Sequence, residues 1–334
     1  MSRLFSILCI CSCLIYGQDR KMIGDVQRMH PAFDVLIDPS CKVEILAEGF
    51  DWSEGPVWIK DGQYLLFNDI PQNTLFRWDE HQGLSIFLRP AGYALGENPP
   101  GNELGSNGLY VNPLNGQLIM CDHGNRCIAM LNMGKWNKKV LVDRYEGKRL
   151  NSPNDLTISS SGHIYFTDPP YGLKNLNNNP EKELPFNGVY HATPNGQVFL
   201  VTQELPFPNG IGLSPDEKTL YVANSGQEPI WLAFDVDENG VPGNGRTFYD
   251  ASTLRDQGNR GGCDGLAVDH RGNLWATGPG GVLVISPEGA LLGIIKVGQA
   301  TSNCCFGGAN RDELYITADM YLCRIKVKTH GIIQ

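Results

Sequence analysis

Long apolar runs are almost absent from this 334-residue sequence. A helix that crosses a bilayer needs about 20 consecutive apolar residues, and the longest such run, Leu4 to Tyr16, falls short. It follows a lone Arg3 and fits a secretory signal cleaved near Gly17, which points to a secreted or periplasmic protein. Ile10-Cys11-Ser12-Cys13 faintly resembles a lipoprotein box, so a lipid anchor on Cys13 is the lesser reading. No integral membrane segment is expected beyond it. Basic residues are also short: 27 Lys and Arg against 36 Asp and Glu leave a net charge of −9, without any basic run. That argues against nucleic acid as a partner. Outside the signal, Cys41, Cys121, Cys127, Cys263, Cys304, Cys305 and Cys323 form an odd set with neither framework nor zinc spacing. They read as small core residues; a Cys121–Cys127 bridge is compatible with export but is not expected. The sequence has no G-x-S-x-G elbow, glycine-rich phosphate loop or dinucleotide fingerprint. Chemistry would therefore have to come from a metal.

Glycine and proline, by contrast, are plentiful, at 39 and 21 residues, and suit a chain of many tight turns. Their placement is periodic. One half-repeat reads SEGPVW from Ser53, SNGLYV from Ser106, PNDLTI from Pro153, PNGIGL from Pro208 and CDGLAV from Cys263, with a degraded NCCFGG from Asn303. The returning half reads YLLFND, LIMCDH, IYFTDP, LYVANS, LWATGP and LYITAD, starting at residues 64, 118, 164, 220, 274 and 314. Strand–turn–strand content at intervals of 40 to 56 residues marks blades of a β-propeller. A β-sandwich with chance similarity among its hairpins would not keep six copies in order. The expected fold is all-β, a six-bladed propeller with four-stranded blades. Residues 1–17 form the signal, 18–41 an irregular leader, and 42–334 the single propeller domain. The strand-like KVEILA, Lys42 to Ala47, is expected to complete the sixth blade beside residues 322–328.

If the first strand of each blade is innermost, the repeated polar residues open on one face of the disc. The long Gly/Pro-rich connections 89–106, 169–187 and 251–262 fall on that same face, and loops of such length are usually functional. The repeated residues are Glu54, Asn107, Asn154, Asn209 and Asp264, with Asn303 roughly sixth. A lone Asn-Gly or Asp-Gly is more often a turn. Five in register, with Glu54 where no turn favours Glu, converge on the axis as a ring of side-chain oxygens. Such a ring suits a hard divalent cation, calcium before magnesium, and its two carboxylates balance the charge. The ends of the second strands supply Asp69, His123, Asp168 and Asn224. His123 is equally a substrate contact and a hydrogen-bonded rim histidine. Asp168 is read as a cap for the turn before two prolines, and Tyr171 as a substrate contact or a packing residue.

The strings SEGPVW, NSPNDL, IYFTDPPYGL, PNGIGLSPDEKTLYVA, DGLAVDHRGNLWATGPGGV and FGGANRDELYITA resemble the gluconolactonase branch of the senescence-marker-protein/gluconolactonase/luciferin-regenerating-enzyme family. The resemblance covers roughly Val43 to Val327. It implies a six-bladed propeller with calcium in the channel, held by the glutamate of EGPVW and the polar residues of NSPND, PNGI and DGL. In this sequence those are Glu54, Asn154, Asn209 and Asp264. Asn107, in a matching SNGL, is read as a substrate or supporting contact. CDGL in place of the usual PDG, and the vicinal Cys304-Cys305, are the departures.

The activity so implied is a calcium-dependent hydrolase that opens a small-molecule sugar lactone, with magnesium, manganese or zinc as other candidate cations. Asp264 would take a proton from the attacking water, while His123 and the 89–106 loop would position the sugar hydroxyls. A phosphotriesterase or diisopropylfluorophosphatase-like activity at the same centre is one alternative. A secreted, non-catalytic ligand-binding propeller is the other.

Overall fold

Alternating β-branched and aromatic residues between Gly, Asn and Asp turns make strands, and here they assemble into six antiparallel blades and a two-stranded ribbon, Arg144–Tyr145 with Lys148–Arg149. The computed structural model describes residues 20–94, 99 and 101–332. The expected signal with Cys13, and part of the 89–106 loop, lie outside the described residues. Blade 1 comprises Ser53–Ile59, Tyr64–Asp69, Thr74–Asp79 and Gly83–Leu88. Blade 2 comprises Leu109–Val111, Leu118–Asp122, Cys127–Asn132 and Asn137–Val142. Blade 3 is Leu156–Ile158, Ile164–Asp168, Gly188–Ala192 and Val198–Thr202, and blade 4 is Pro208–Leu213, Thr219–Asn224, Ile230–Val236 and Pro242–Asp250. Blade 5 holds Leu266–Val268, Leu274–Gly278, Gly281–Ile285 and Leu291–Lys296. Blade 6 holds Asn303–Gly307, Glu313–Ala318 and Tyr321–Lys326, and Val43–Glu48 completes it from the other end of the chain. The molecule is a six-bladed β-propeller of four-stranded blades.

The closing register pairs Tyr321 with Glu48 and Arg324 with Glu44. The leader is more ordered than its polar sequence suggested. Met22–Ile23 adds a fifth strand to blade 6 and Asp25–Arg28 a fifth to blade 5, with Gly24 at the crossover between them. A Cβ on Gly24 would meet the Lys296 carbonyl, so only glycine passes there. Unpaired edges are hazardous, and the leader covers two of the six.

The apolar interior is divided into six clusters, each shared by two neighbouring blades. Val57, Leu66 and Leu75 of blade 1 meet Leu118, Met120 and Ala129 of blade 2. Phe67 and Trp78 of blade 1 meet Tyr315 and Leu322 of blade 6. Blades are therefore apolar on both faces, which is why second strands such as LIMCD read as continuous rather than alternating hydrophobic runs. The seven described cysteines are all free, and six are buried.

Around the axis the inner strands approach closely. The amide of Gly108 donates to the Asn154 carbonyl at 2.8 Å and that of Gly265 to the Ser302 carbonyl at 2.7 Å. A Cβ on Gly55 would lie 2.1 Å from the Asn107 carbonyl, and one on Gly210 2.1 Å from that of Asp264. The glycine of each Glu-Gly, Asn-Gly and Asp-Gly pair therefore admits the neighbouring blade; it does not turn a hairpin. Side chains of the second strands clasp the next blade: Asn68 donates to the Asn107 carbonyl at 2.6 Å and Thr167 to that of Asn209 at 2.7 Å. Among the described residues no helix is long and apolar enough to cross a membrane.

Candidate metal centre and substrate cavity

Convergence of the inner strands carries their first polar residues to one place. Glu54, Asn107, Asn154, Asn209 and Asp264 all line a single cavity of about 210 Å³ at one mouth of the channel. Tyr171 of the 169–187 loop, Gly262 of the 251–262 loop and Glu103 of the 89–106 loop complete its wall, with Trp52, Ile70 and Ser225. A larger cavity, about 400 Å³, opens at the other end. It is bounded by the tight turns at Pro113, Ser160, Pro215 and His270 and holds none of the ring residues.

The electrostatics of the ring are those of crowded acids. Glu54 Oε2 accepts from the Gly55 amide at 2.6 Å and from Asn303 Nδ2 at 3.1 Å, yet burial pushes this carboxyl up to about 7. Asp155 occupies the position of the repeat glycine in blade 3. Burial, with the Glu54 charge, pushes it to about 8. Burial and Glu54 raise Glu103 to about 7. Burial, then Glu54, Asp155 and Glu103, raises Asp264 well above the ordinary carboxylate range. Asp264 Oδ1 is buried with no hydrogen-bond partner.

A dication is the group that such a set fits, because it removes the repulsion that neutralises these carboxyls and gives the orphaned oxygen a partner. Among the described residues no three His, Cys, Asp or Glu side chains are grouped to hold a metal. The donors available at the ring are two carboxylates and amide oxygens, a set for a hard cation and not for zinc.

The residues of the second strands divide. Asp69 accepts from the Asp51 amide at 3.0 Å, and Asp168 from those of Asn151 and Ser152 at 2.7 and 2.8 Å. Asn224 accepts from the Phe207 amide at 3.1 Å. All three staple the chain entering their own blade and stay out of the cavity; the Asp168 carboxylate thus holds residues 151 and 152 instead of capping the turn before the two prolines. In blade 2 the equivalent position is Asp122, and His123 lies one residue beyond. Its ring is fully buried and is not on the cavity wall. Nδ1 sits 3.4 Å from Asn107 Nδ2 and Nε2 lies 3.2 Å from Glu103 Oε2; burial holds the imidazole down to about 3, so it is neutral. Tyr171 stacks on Phe207 at 5.6 Å. Burial and the Asp264 charge push its phenol up, so it remains a donor.

Sequence reasoning missed Glu103 and Trp52, which stand outside the repeat, Ser225, which closes the LYVANS copy, and Asp155, which the repeat could have shown as the aspartate of PNDL where four other copies have glycine.

The family model described as the SMP-30/gluconolactonase/LRE-like region matches residues 52–319. The chain belongs to this family. Its similarity to the gluconolactonase of Zymomonas mobilis is 43% identity over 318 residues, covering 92% of this chain and 88% of that protein. The solved gluconolactonase of Xanthomonas campestris superposes with a TM-score of 0.78 at 30% identity, over 92% of this chain and 97% of that one. A calcium-binding protein from Agrobacterium tumefaciens, regucalcin, shares the family fold at 18% identity, with a TM-score of 0.66 over 86% of this chain and 96% of its own.

Proposed function

We propose that this family member is a calcium-dependent lactonase that opens a sugar lactone by hydrolysis, with Glu54, Asn154, Asn209 and Asp264 as the cation's ligands. The observation that carries the reading is the meeting of these four side chains, more than 200 positions apart at the extremes, in one cavity with Asn107 and Tyr171. The similarity to two gluconolactonases supports the substrate class. Calcium, when bound there, supplies polarisation of the lactone carbonyl but acidifies water little, which leaves the proton to a protein carboxylate.

Asp264 is that carboxylate. One of its oxygens would hold the cation, and the other accepts a proton as a water oxygen bonds to the carbonyl carbon. It returns the proton to the ring oxygen when the ester bond breaks, so the product is a hydroxy acid. Asn107 and the Tyr171 hydroxyl orient the lactone, and Trp52 and Ile70 exclude bulk water from one side of the cavity. Export behind a signal cleaved near Gly17 would leave the paired segment Met22–Arg28 intact, and N-terminal sequencing of the secreted protein checks it.

The deciding experiment is acid release from glucono-δ-lactone followed with a pH indicator, with and without chelator. Wild-type activity should vanish with chelator and return with calcium. Asp264→Asn should lower kcat by about 10²-fold or more, with the circular dichroism spectrum unchanged. Full activity in that variant, or indifference to chelator, removes the mechanism.

A further inference from the structure

Glu103 belongs to no repeat, yet it lines the same cavity as the proposed cation ligands. Its placement is unusually determined for a loop residue. His123 Nε2 lies 3.2 Å behind it, has no aligned hydrogen-bond partner, and is sealed from solvent. His123 cannot retreat: a Cβ on Gly172 would sit 2.1 Å from its Cδ2, so the 169–187 loop presses on the ring. Gly172 is itself pinned, its amide donating to Ser152 Oγ at 2.9 Å while Ser152 donates to the Pro169 carbonyl at 2.6 Å. A Cβ on Gly101 would lie 2.3 Å from the Gly172 carbonyl, so the two loops meet backbone to backbone beside Glu103. Half of this arrangement would be needless if Glu103 served only to solubilise a loop. A buried polar group without a good partner costs free energy, and an imidazole kept in that state behind a cavity-lining glutamate suits a carboxylate that must be held for a ligand.

We propose that Glu103 recognises a hydroxyl group of the lactone, and that His123 is a positioning residue that holds Glu103 and does not itself touch substrate. This rests on the lactonase reading and names the part of the site that separates polyhydroxylated lactones from plain ones. A hydrogen bond to a charged group contributes about 10- to 100-fold in discrimination.

The test compares kcat/KM for glucono-δ-lactone with that for δ-valerolactone, which has the ring and no hydroxyls. Glu103→Ala should lower the ratio of the two by about 10- to 100-fold, and Glu103→Gln should recover part of it. Equal loss on both lactones, or none, overturns the assignment. His123→Asn keeps a polar atom near Asn107 and deletes the one facing Glu103. It should lower the same ratio, and the Glu103→Ala/His123→Asn double variant should lose less than the product of the two single losses. Independent losses overturn the positioning role. If the wild type opens neither lactone, the lactonase reading falls separately. Calorimetry with a non-hydrolysable polyhydroxylated lactam then decides: binding weakened about tenfold or more by Glu103→Ala sustains the proposal, and equal binding, or none by wild type, overturns it.

Discussion

Glu54, Asp155 and Asp264 concentrate acid where the inner strands bury it. Burial raises each of them, Glu54 to about 7 and Asp155 to about 8. In the cation-free protein the folded state thus keeps protons that the unfolded chain releases near pH 4. This contribution to stability is complete below about pH 4 and is lost as pH rises through about 7 to 8. Chelated protein should therefore melt at a lower temperature at about pH 8.5 than at about pH 5.5, and added calcium should raise the melting temperature more at the higher pH. Scanning calorimetry at both pH values checks it. A calcium effect that is larger at the acidic pH removes the link between these carboxyls and the ion. Among the ring residues, Glu54 was the most legible from sequence, because a glutamate in a turn-like position has no turn to serve. Glu103 carried no such signal, since a loop residue's address depends on where the loop lands.

At the scale of elements, the leader is the unexpected part. Residues 22–28 are too few and too polar to announce strands, because their pairing partners, the edges of blades 5 and 6, lie far along the chain. Behind them the 3-10 turn Pro31–Val35 drives Phe33 into the cluster shared by blades 5 and 6. Phe33 is fully buried, and a Cβ on Gly293 would strike its ring at 2.5 Å. Phe33→Ala should cost about 3–5 kcal/mol, read from the midpoint of urea unfolding. A cost well under 1 kcal/mol would mean that the leader only rests on the propeller.

For the whole molecule the weak point of a ring is its seam. Blade 6 is built from both ends of the chain and meets blade 1 through Ser302, whose hydroxyl donates to the Ser53 carbonyl at 2.6 Å, and through the stacked Trp58 and Tyr315. On the outer side Arg324 joins Glu44 at 2.8 Å with Glu313 and Glu80, each at 3.1 Å, so one guanidinium ties the closing strand, its neighbour and blade 1. Arg324→Ala leaves Glu44 and Glu80 to Arg20 alone and Glu313 to the more distant Lys326. It should destabilise by about 1–3 kcal/mol, with a lower urea midpoint and an unchanged slope. The loss should shrink at high salt if surface attraction is the whole effect.

The number of blades, the closing strand Val43–Glu48 and the ring Glu54, Asn107, Asn154, Asn209 and Asp264 were determined by sequence alone. Period-two strands and turn chemistry are local, and a repeated local unit can bury its two apolar faces only by closing on its own copies. The tertiary structure decided what stands around that ring. Glu103 and Tyr171 arrive on loops from different blades, His123 is withdrawn behind them, and the leader finds its edges. Those placements depend on contacts between segments remote in the chain, which no repeat records.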